Sequence, residues 1–213
     1  MRKIQNSIFL ILFCSFSVFS QQNDFQNWTS LKLTKKIYKR TNICMKEGIR
    51  FRENSSLTKK LFTDFKLIHR IKKTNIEVSL GYRFAQDYQI DFTSFFKHRY
   101  YFDFSSNYKY NRFKISLRDR FQYQVYNSNF NTSFRQKMDI SYNIRKNPLE
   151  PYIQFEYFFN LKENFEKLRY TAGFSYPIFR NVKTDFFYRL QKVLSTSNSE
   201  YLYVLGTSLS FKL

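Results

Sequence analysis

The sequence predicts an all-β fold, an antiparallel transmembrane β-barrel of about 10–12 strands, on three observations. Apolar and polar residues alternate with a period of two through stretches of roughly 9–14 residues, the signature of strands with two unlike faces. Such stretches exceed the roughly 5–6 residues of an average soluble strand and match the roughly 9–11 that a tilted strand needs to cross a bilayer. The first 20 residues read as a signal peptide: Arg2 and Lys3 precede an apolar stretch from Ile8 to Phe19, with Val18 and Ser20 before Gln21.

Eleven stretches follow, near 28–38, 42–53, 61–72, 75–86, 92–108, 112–126, 131–145, 150–161, 167–178, 182–194 and 200–213. The clearest sets Ile76, Val78, Leu80, Tyr82 and Phe84 against Glu77, Ser79, Gly81 and Arg83. Phe96, Tyr100, Phe102 and Phe104 oppose Lys97, Arg99, Asp103 and Ser105 in the same way. Ile115, Leu117, Phe121, Tyr123 and Val125 oppose Lys114, Ser116, Arg118, Arg120, Gln122 and Gln124. Met138, Ile140, Tyr142 and Ile144 alternate with Lys137, Asp139, Ser141 and Asn143, and Ile153, Phe155, Tyr157 and Phe159 with Gln154 and Glu156. Tyr170, Ala172, Phe174 and Tyr176 alternate with Arg169, Thr171, Gly173 and Ser175, and the last stretch lines Tyr201, Tyr203, Leu205, Thr207, Leu209, Phe211 and Leu213 along one face. Asn-Gly and Asp-Gly turns are missing, so clusters of Asn, Ser, Lys and Asp punctuate the strands.

Composition narrows the class. The chain has 213 residues, enough for one domain, with 27 Phe and 17 Tyr, so it has ample apolar area to bury and is not a disordered chain. Four Gly and three Pro exclude collagen-like and linker-like sequences, and a mean hydropathy of −0.53 excludes a bundle of membrane helices. Residues 21–213 form a single barrel domain holding one cysteine, Cys44, so no intramolecular disulfide forms there.

Alternation alone also fits a soluble sandwich or barrel with its apolar face inward. Strand length, the export signal and Tyr and Trp near strand ends, at Trp28, Tyr108, Tyr110, Tyr126 and Tyr201, favour the inverted arrangement, with the apolar face against lipid. Glu77, Arg83, Arg99, Asp103, Arg118, Arg120, Lys137, Asp139, Glu156, Arg169, Asp185 and Arg189 then line the lumen. In a narrow barrel these side chains fill much of the interior, and opposite charges on neighbouring strands satisfy one another. Asp119 falls on the lipid-facing side, where a charge is costly at mid-depth, so it lies near an interface or the facing is locally different.

Connections near 39–41, 73–74, 109–111, 146–149 and 179–181 are short and those near 54–60, 87–91, 127–130, 162–166 and 195–199 mostly longer, placing the short ones in the periplasm. Lys35, Lys36, Lys39, Arg40, Lys72, Lys73, Lys109, Arg112, Arg145, Lys146, Arg180 and Lys183 make that rim basic. An odd strand number conflicts with the even count of bacterial single-chain barrels, which calls for pairing by Gln21–Asn27 or a count different by one.

The residues Trp28-Thr-Ser-Leu, Gly81-Tyr-Arg-Phe, Lys97-His-Arg-Tyr, Arg118-Asp-Arg-Phe-Gln-Tyr, Pro151-Tyr with Glu156 following, Arg169-Tyr-Thr-Ala-Gly and Phe187-Tyr-Arg-Leu-Gln-Lys, in this order, resemble domain-of-unknown-function family 2490, uncharacterised outer-membrane β-barrel proteins of Bacteroidetes-type bacteria. The resemblance covers nearly all of the chain after the signal peptide. It implies a barrel fold in the outer membrane of a Gram-negative bacterium and supplies no activity or catalytic residue. The chain departs from many outer-membrane barrels in ending Phe211-Lys212-Leu213 rather than on an aromatic residue.

The function expected is a narrow, closed, porin-like scaffold with a charged, side-chain-filled lumen. Its alternatives are a small anion-preferring pore, because basic residues outnumber acids, and a membrane-embedded hydrolase. Only His69 and His98 offer histidine bases; both fall on apolar faces and neither belongs to a nucleophile motif, so the chain is expected not to be an enzyme. No catalytic, cofactor-binding or metal-binding residue is assigned, and no cofactor is expected. Outer-membrane lipids and, during insertion, the barrel assembly machinery are the expected partners. Export and the spread of basic residues along strands argue against nucleic acid.

Overall fold

The computed structural model describes residues 24–127, 129–161, 167–194 and 200–213; the signal peptide expected over 1–20 lies outside them. Its elements are β1 (Asp24–Tyr38), β2 (Thr41–Arg52), β3 (Leu57–Arg70), β4 (Ile76–Tyr88), β5 (Ser94–Tyr110), β6 (Phe113–Tyr126), β7 (Asn129–Tyr142), β8 (Glu150–Asn160), β9 (Lys167–Phe179), β10 (Val182–Val193) and β11 (Glu200–Lys212). Each expected stretch is a strand. Each strand pairs with its sequence neighbour antiparallel, and β1 pairs with β11 to close the barrel.

That closing pair is parallel, with Asp24 opposite Leu202 and Thr34 opposite Lys212. It resolves the parity conflict: eleven up-and-down strands leave the first and last running the same way, and residues 24–27 lie within β1 and bond directly to β11. The fold is antiparallel everywhere except at this one seam.

Facing follows the strand period. Leu80 is 62% exposed on the outside and Phe121 60%, whereas Asp103 is 0%, Arg120 4% and Glu156 3% exposed on the inside. Apolar-out and charged-in is the arrangement a bilayer requires and the reverse of a soluble core, and closure leaves no open sheet edge in hydrocarbon. Outward rings pack across strands, as in Phe121 with Phe134 at 5.0 Å and Phe155 with Tyr170 at 5.4 Å between centroids.

Two expected aromatic anchors do not sit at the headgroup level. Trp28 shares its face of β1 with Gln26 and Ser30 and is buried in the interior. Tyr126 shares its face of β6 with Gln122 and Gln124 and lies beneath the Lys97 ammonium, 5.2 Å from its ring centroid. Tyr108 and Tyr110 are exposed and hold the outward rim position expected of them.

At one rim the turns at 39–40, 111–112 and 180–181 have two residues, but 71–75 and 143–149 are longer. At the other rim the connection at 127–128 is as short as any, so the length asymmetry between rims is weaker than the sequence suggested. Positive φ values at Lys73, Asn111 and Lys146 on the first rim and at Asn54 and Asn127 on the second show Asn and Lys taking the left-handed turn positions that glycine commonly fills.

Candidate functional site

The interior is a cavity of about 410 Å3 to which every strand contributes, for example through Trp28, Arg50, Asp64, Arg83, Tyr101, Arg120, Arg135, Glu156, Arg169, Arg189 and Ser208. It adjoins a vestibule of about 980 Å3 at the rim of the two-residue turns, the two sharing Lys32, Tyr152, Gln154 and Asp185.

Two carboxylates organise the middle of the lumen. Asp103 on β5 takes both Nε and Nη2 of Arg120, at 2.6 and 2.9 Å, and the Lys66 ammonium at 2.8 Å, which reaches from β3 past β4. Glu156 on β8 meets Arg135 at 2.5 Å, Arg118 at 3.2 Å from beyond β7, and Arg169 at 3.5 Å. Asp64 links the two sides of β4, accepting Tyr101 Oη at 2.6 Å and Arg83 Nε at 2.7 Å.

Aromatic faces carry the remaining positive charge. Arg120 Cζ lies 3.7 Å from the centroid of Tyr101, Arg83 4.3 Å from Phe62, and Arg50 3.8 Å from Trp28. Arg189 and Arg169 approach the same indole at 5.2 and 5.4 Å. A guanidinium over a ring out of water gains about 2 kcal/mol, so Trp28 partly stabilises basic groups that lack a carboxylate. Arg50, Arg99 and Arg189 form no ion pair among the described residues; Arg99 donates to Gln124 and Arg189 to Thr171.

All twelve charged residues expected in the lumen lie on inward-facing positions of their strands. The structure brings Asp103 to Arg120, and Arg118 and Arg169 to Glu156. Arg83, Arg99 and Arg189 instead meet Asp64, Gln124 and Thr171. Lys137 reaches Asp139 at 3.5 Å, and Asp139 accepts from Gln154. Asp185 accepts from Ser175, and Glu77 pairs with Arg70 near the short-turn rim.

Sequence reasoning missed Asp64, Lys66, Arg50, Arg135, Tyr101 and Trp28. Arg135 lies two residues before Lys137, so extending the alternation would have found it, whereas Arg50, Asp64 and Lys66 lie on strand faces that mix polar and apolar residues. Tyr101 and Trp28 break the polar pattern of their faces and carry no such signal.

At the far rim Asp87 holds Lys60 at 2.8 Å and Lys97 at 2.7 Å, and Arg52 donates to the Tyr88 carbonyl at 2.6 Å. Asp119 faces outward at mid-strand, as its parity requires, and accepts from Gln136 Nε2 at 2.8 Å. The two histidines also face outward, His69 bonded to Thr41 and His98 to Tyr82. Cys44 is a buried free thiol on the lumen side.

Among curated proteins nothing matches the chain. Among solved structures it is similar to a KdgM porin, at 10% identity and a TM-score of 0.49, over 80% of this chain and 89% of that one. The family described as a protein of unknown function, DUF2490, matches residues 25–201, and the chain, a closed barrel with a charged interior, belongs to that family.

Proposed function

We propose that this chain is an outer-membrane barrel acting as a narrow, closed scaffold, seated among outer-membrane lipids and inserted by the barrel assembly machinery. The observation that carries this reading is the pair of ion clusters at Asp103 and Glu156, which tie β3 to β5 and β6 to β8 across the strand between. Together with the Arg50–Trp28 stack they narrow the interior to a cavity of about 410 Å3. No catalytic step and no nucleic-acid partner are assigned.

Reconstituted in planar bilayers, the protein is expected to give little or no steady conductance. Reproducible anion-selective steps, shifted by Arg50→Ala, would overturn the closed scaffold in favour of a small anion-preferring pore. That second reading is favoured by Arg50, Arg99 and Arg189, which bring charge into the lumen without a paired acid among the described residues, and by Arg118 and Arg135, whose Nε atoms are buried with no hydrogen-bond partner among them.

A further inference from the structure

Charge in the lumen does not balance. Of the residues lining the cavity of about 410 Å3, eleven are basic and three, Asp64, Glu156 and Asp185, are acidic. Glu156 is divided among three arginines, Asp64 takes Arg83 and Tyr101, and Asp185 accepts from Ser175. Neutral acceptors such as Thr171 and Gln191 satisfy an N–H of Arg189 and Arg169 without cancelling a charge, and buried charges of one sign are costly until an opposite charge joins them.

The surplus gathers around Trp28. Arg50 faces it from β2 with Cζ 3.8 Å from the indole centroid, and Arg189 and Arg169 bring theirs to 5.2 and 5.4 Å from β10 and β9. Of the three only Arg169, 8% exposed, meets a carboxylate, at 3.5 Å, and Arg50 makes no hydrogen bond or ion pair among the described residues. Toward the vestibule the same wall sets Lys32 directly opposite Lys46, and the vestibule sets Lys109 directly opposite Lys114. None of these four lysines has an ion pair among the described residues, since Asp64, opposite Lys46 on β3, is turned to Arg83 and Tyr101. Like charges directly opposite on neighbouring strands repel.

We propose that the lumen binds a multiply charged oxyanion, a phosphate or sulfate group, held by Arg50, Arg169 and Arg189 beside Trp28 and reached through the lysine-lined vestibule. A guanidinium fork matches a pair of oxygens on such a group, and forks arriving from three strands suit a tetrahedral ion with more oxygens than a carboxylate has. Chloride offers one point and one charge. The group, free or carried as a phosphomonoester, supplies the negative charge that the acids of the chain do not. The inference deepens the preceding reading and rests on its narrow, charged lumen, which becomes a binding chamber.

Trp28 is the single tryptophan of the chain, so its emission reports on the site alone. The test titrates the folded full chain in detergent with sodium phosphate, sodium sulfate or glycerol phosphate, against sodium chloride at equal ionic strength. A saturable change in emission is expected with at least one of the three oxyanions and not with chloride. Saturation by phosphate or sulfate assigns a free ion, and saturation by glycerol phosphate alone assigns a larger ligand that carries the group. Arg50→Gln and Arg189→Gln should each weaken the apparent affinity roughly ten-fold or more, and Arg99→Gln, at a lumenal arginine that does not line this cavity, by less than about two-fold. Heat-modifiable gel mobility confirms that each variant is folded, and the parent titration stands without them. No saturable change, an equal change with chloride, or a loss in Arg99→Gln as large as in Arg50→Gln would each overturn the proposal. Planar-bilayer recordings separate the two readings: saturable binding in a conducting barrel overturns the closed scaffold and keeps the site, whereas a non-conducting barrel without saturable binding overturns only the site.

Discussion

Glu156 is shared by Arg118, Arg135 and Arg169, and removing its charge leaves those guanidiniums facing one another in a buried site. Breaking a buried pair by deleting one partner costs about 3–5 kcal/mol. Glu156→Gln should therefore lower the temperature at which the folded gel band converts to the unfolded one. Arg50 gives the opposite sign, because it has no carboxylate partner among the described residues and shares the Trp28 and Phe62 rings with Arg83, Arg169 and Arg189. Arg50→Met keeps a long side chain over Trp28 and relieves repulsion, so the same transition should rise or stay level. These roles were only partly legible in the sequence. Parity placed Glu156 and Arg169 on one side of the sheet. Which arginine an acid meets is set by the register and the reach of side chains past an intervening strand, and alternation carries no record of either.

At the scale of the strand pair, the four glycines mark close approaches on the lumen side. Gly48 lies opposite Phe62, Gly81 opposite Tyr101, Gly173 opposite Tyr152 and Phe187, and Gly206 opposite Phe187, all on the lumen side. A Cβ on Gly48, Gly81 or Gly206 would overlap the facing ring, so each of these is the space in which an inward aromatic lies down across the sheet, whereas at Gly173 it would first meet the Phe186 carbonyl oxygen, with the Tyr152 ring close behind. Gly206→Ala should destabilise by about 1–3 kcal/mol through overpacking. Adding Phe187→Ala should cost less than the sum of the two changes, because the clash and the ring vanish together, and a double-mutant cycle on the unfolding transition measures that coupling. Strand existence was legible in full, since the period of two survives in every strand. Inward aromatics were not, because a ring on a polar face reads as an error in the pattern until its glycine is found on the next strand.

For the whole molecule, charge is distributed by rim. Lys39 and Arg40, Lys72 and Lys73, Arg112, Arg145 and Lys146, and Arg180 put basic residues on every turn of the short-turn rim. Each basic residue near an anionic surface adds about 1 kcal/mol before salt screening. Neutralising Lys35, Lys36, Lys39 and Arg40 together should weaken binding to anionic vesicles at low salt and leave binding to neutral vesicles unchanged, as read by flotation across a salt series. Binding equal to the parent at every ionic strength would show that the rim has no such part. The same scale contains the one contact that alternation could not announce, the parallel seam, which depends on the strand count being odd.

Because β1 and β11 run the same way, the start of β1 and the end of β11 lie at opposite rims: Asp24 Oδ1 accepts from the Asn54 amide at one, and the Leu213 amide donates to the Thr34 carbonyl at the other. In a barrel with an even number of strands those two points are neighbours, and a few residues join them. Here the paired run from Asp24 to Thr34 separates them by roughly 35 Å at about 3.3 Å per residue. A circular permutant that joins the end of β11 to the start of β1 must therefore carry a linker as long as a strand, and that linker has either to thread the occupied lumen or to lie in lipid with its backbone unpaired. The connectivity of this barrel cannot be cut open and rejoined at its own seam.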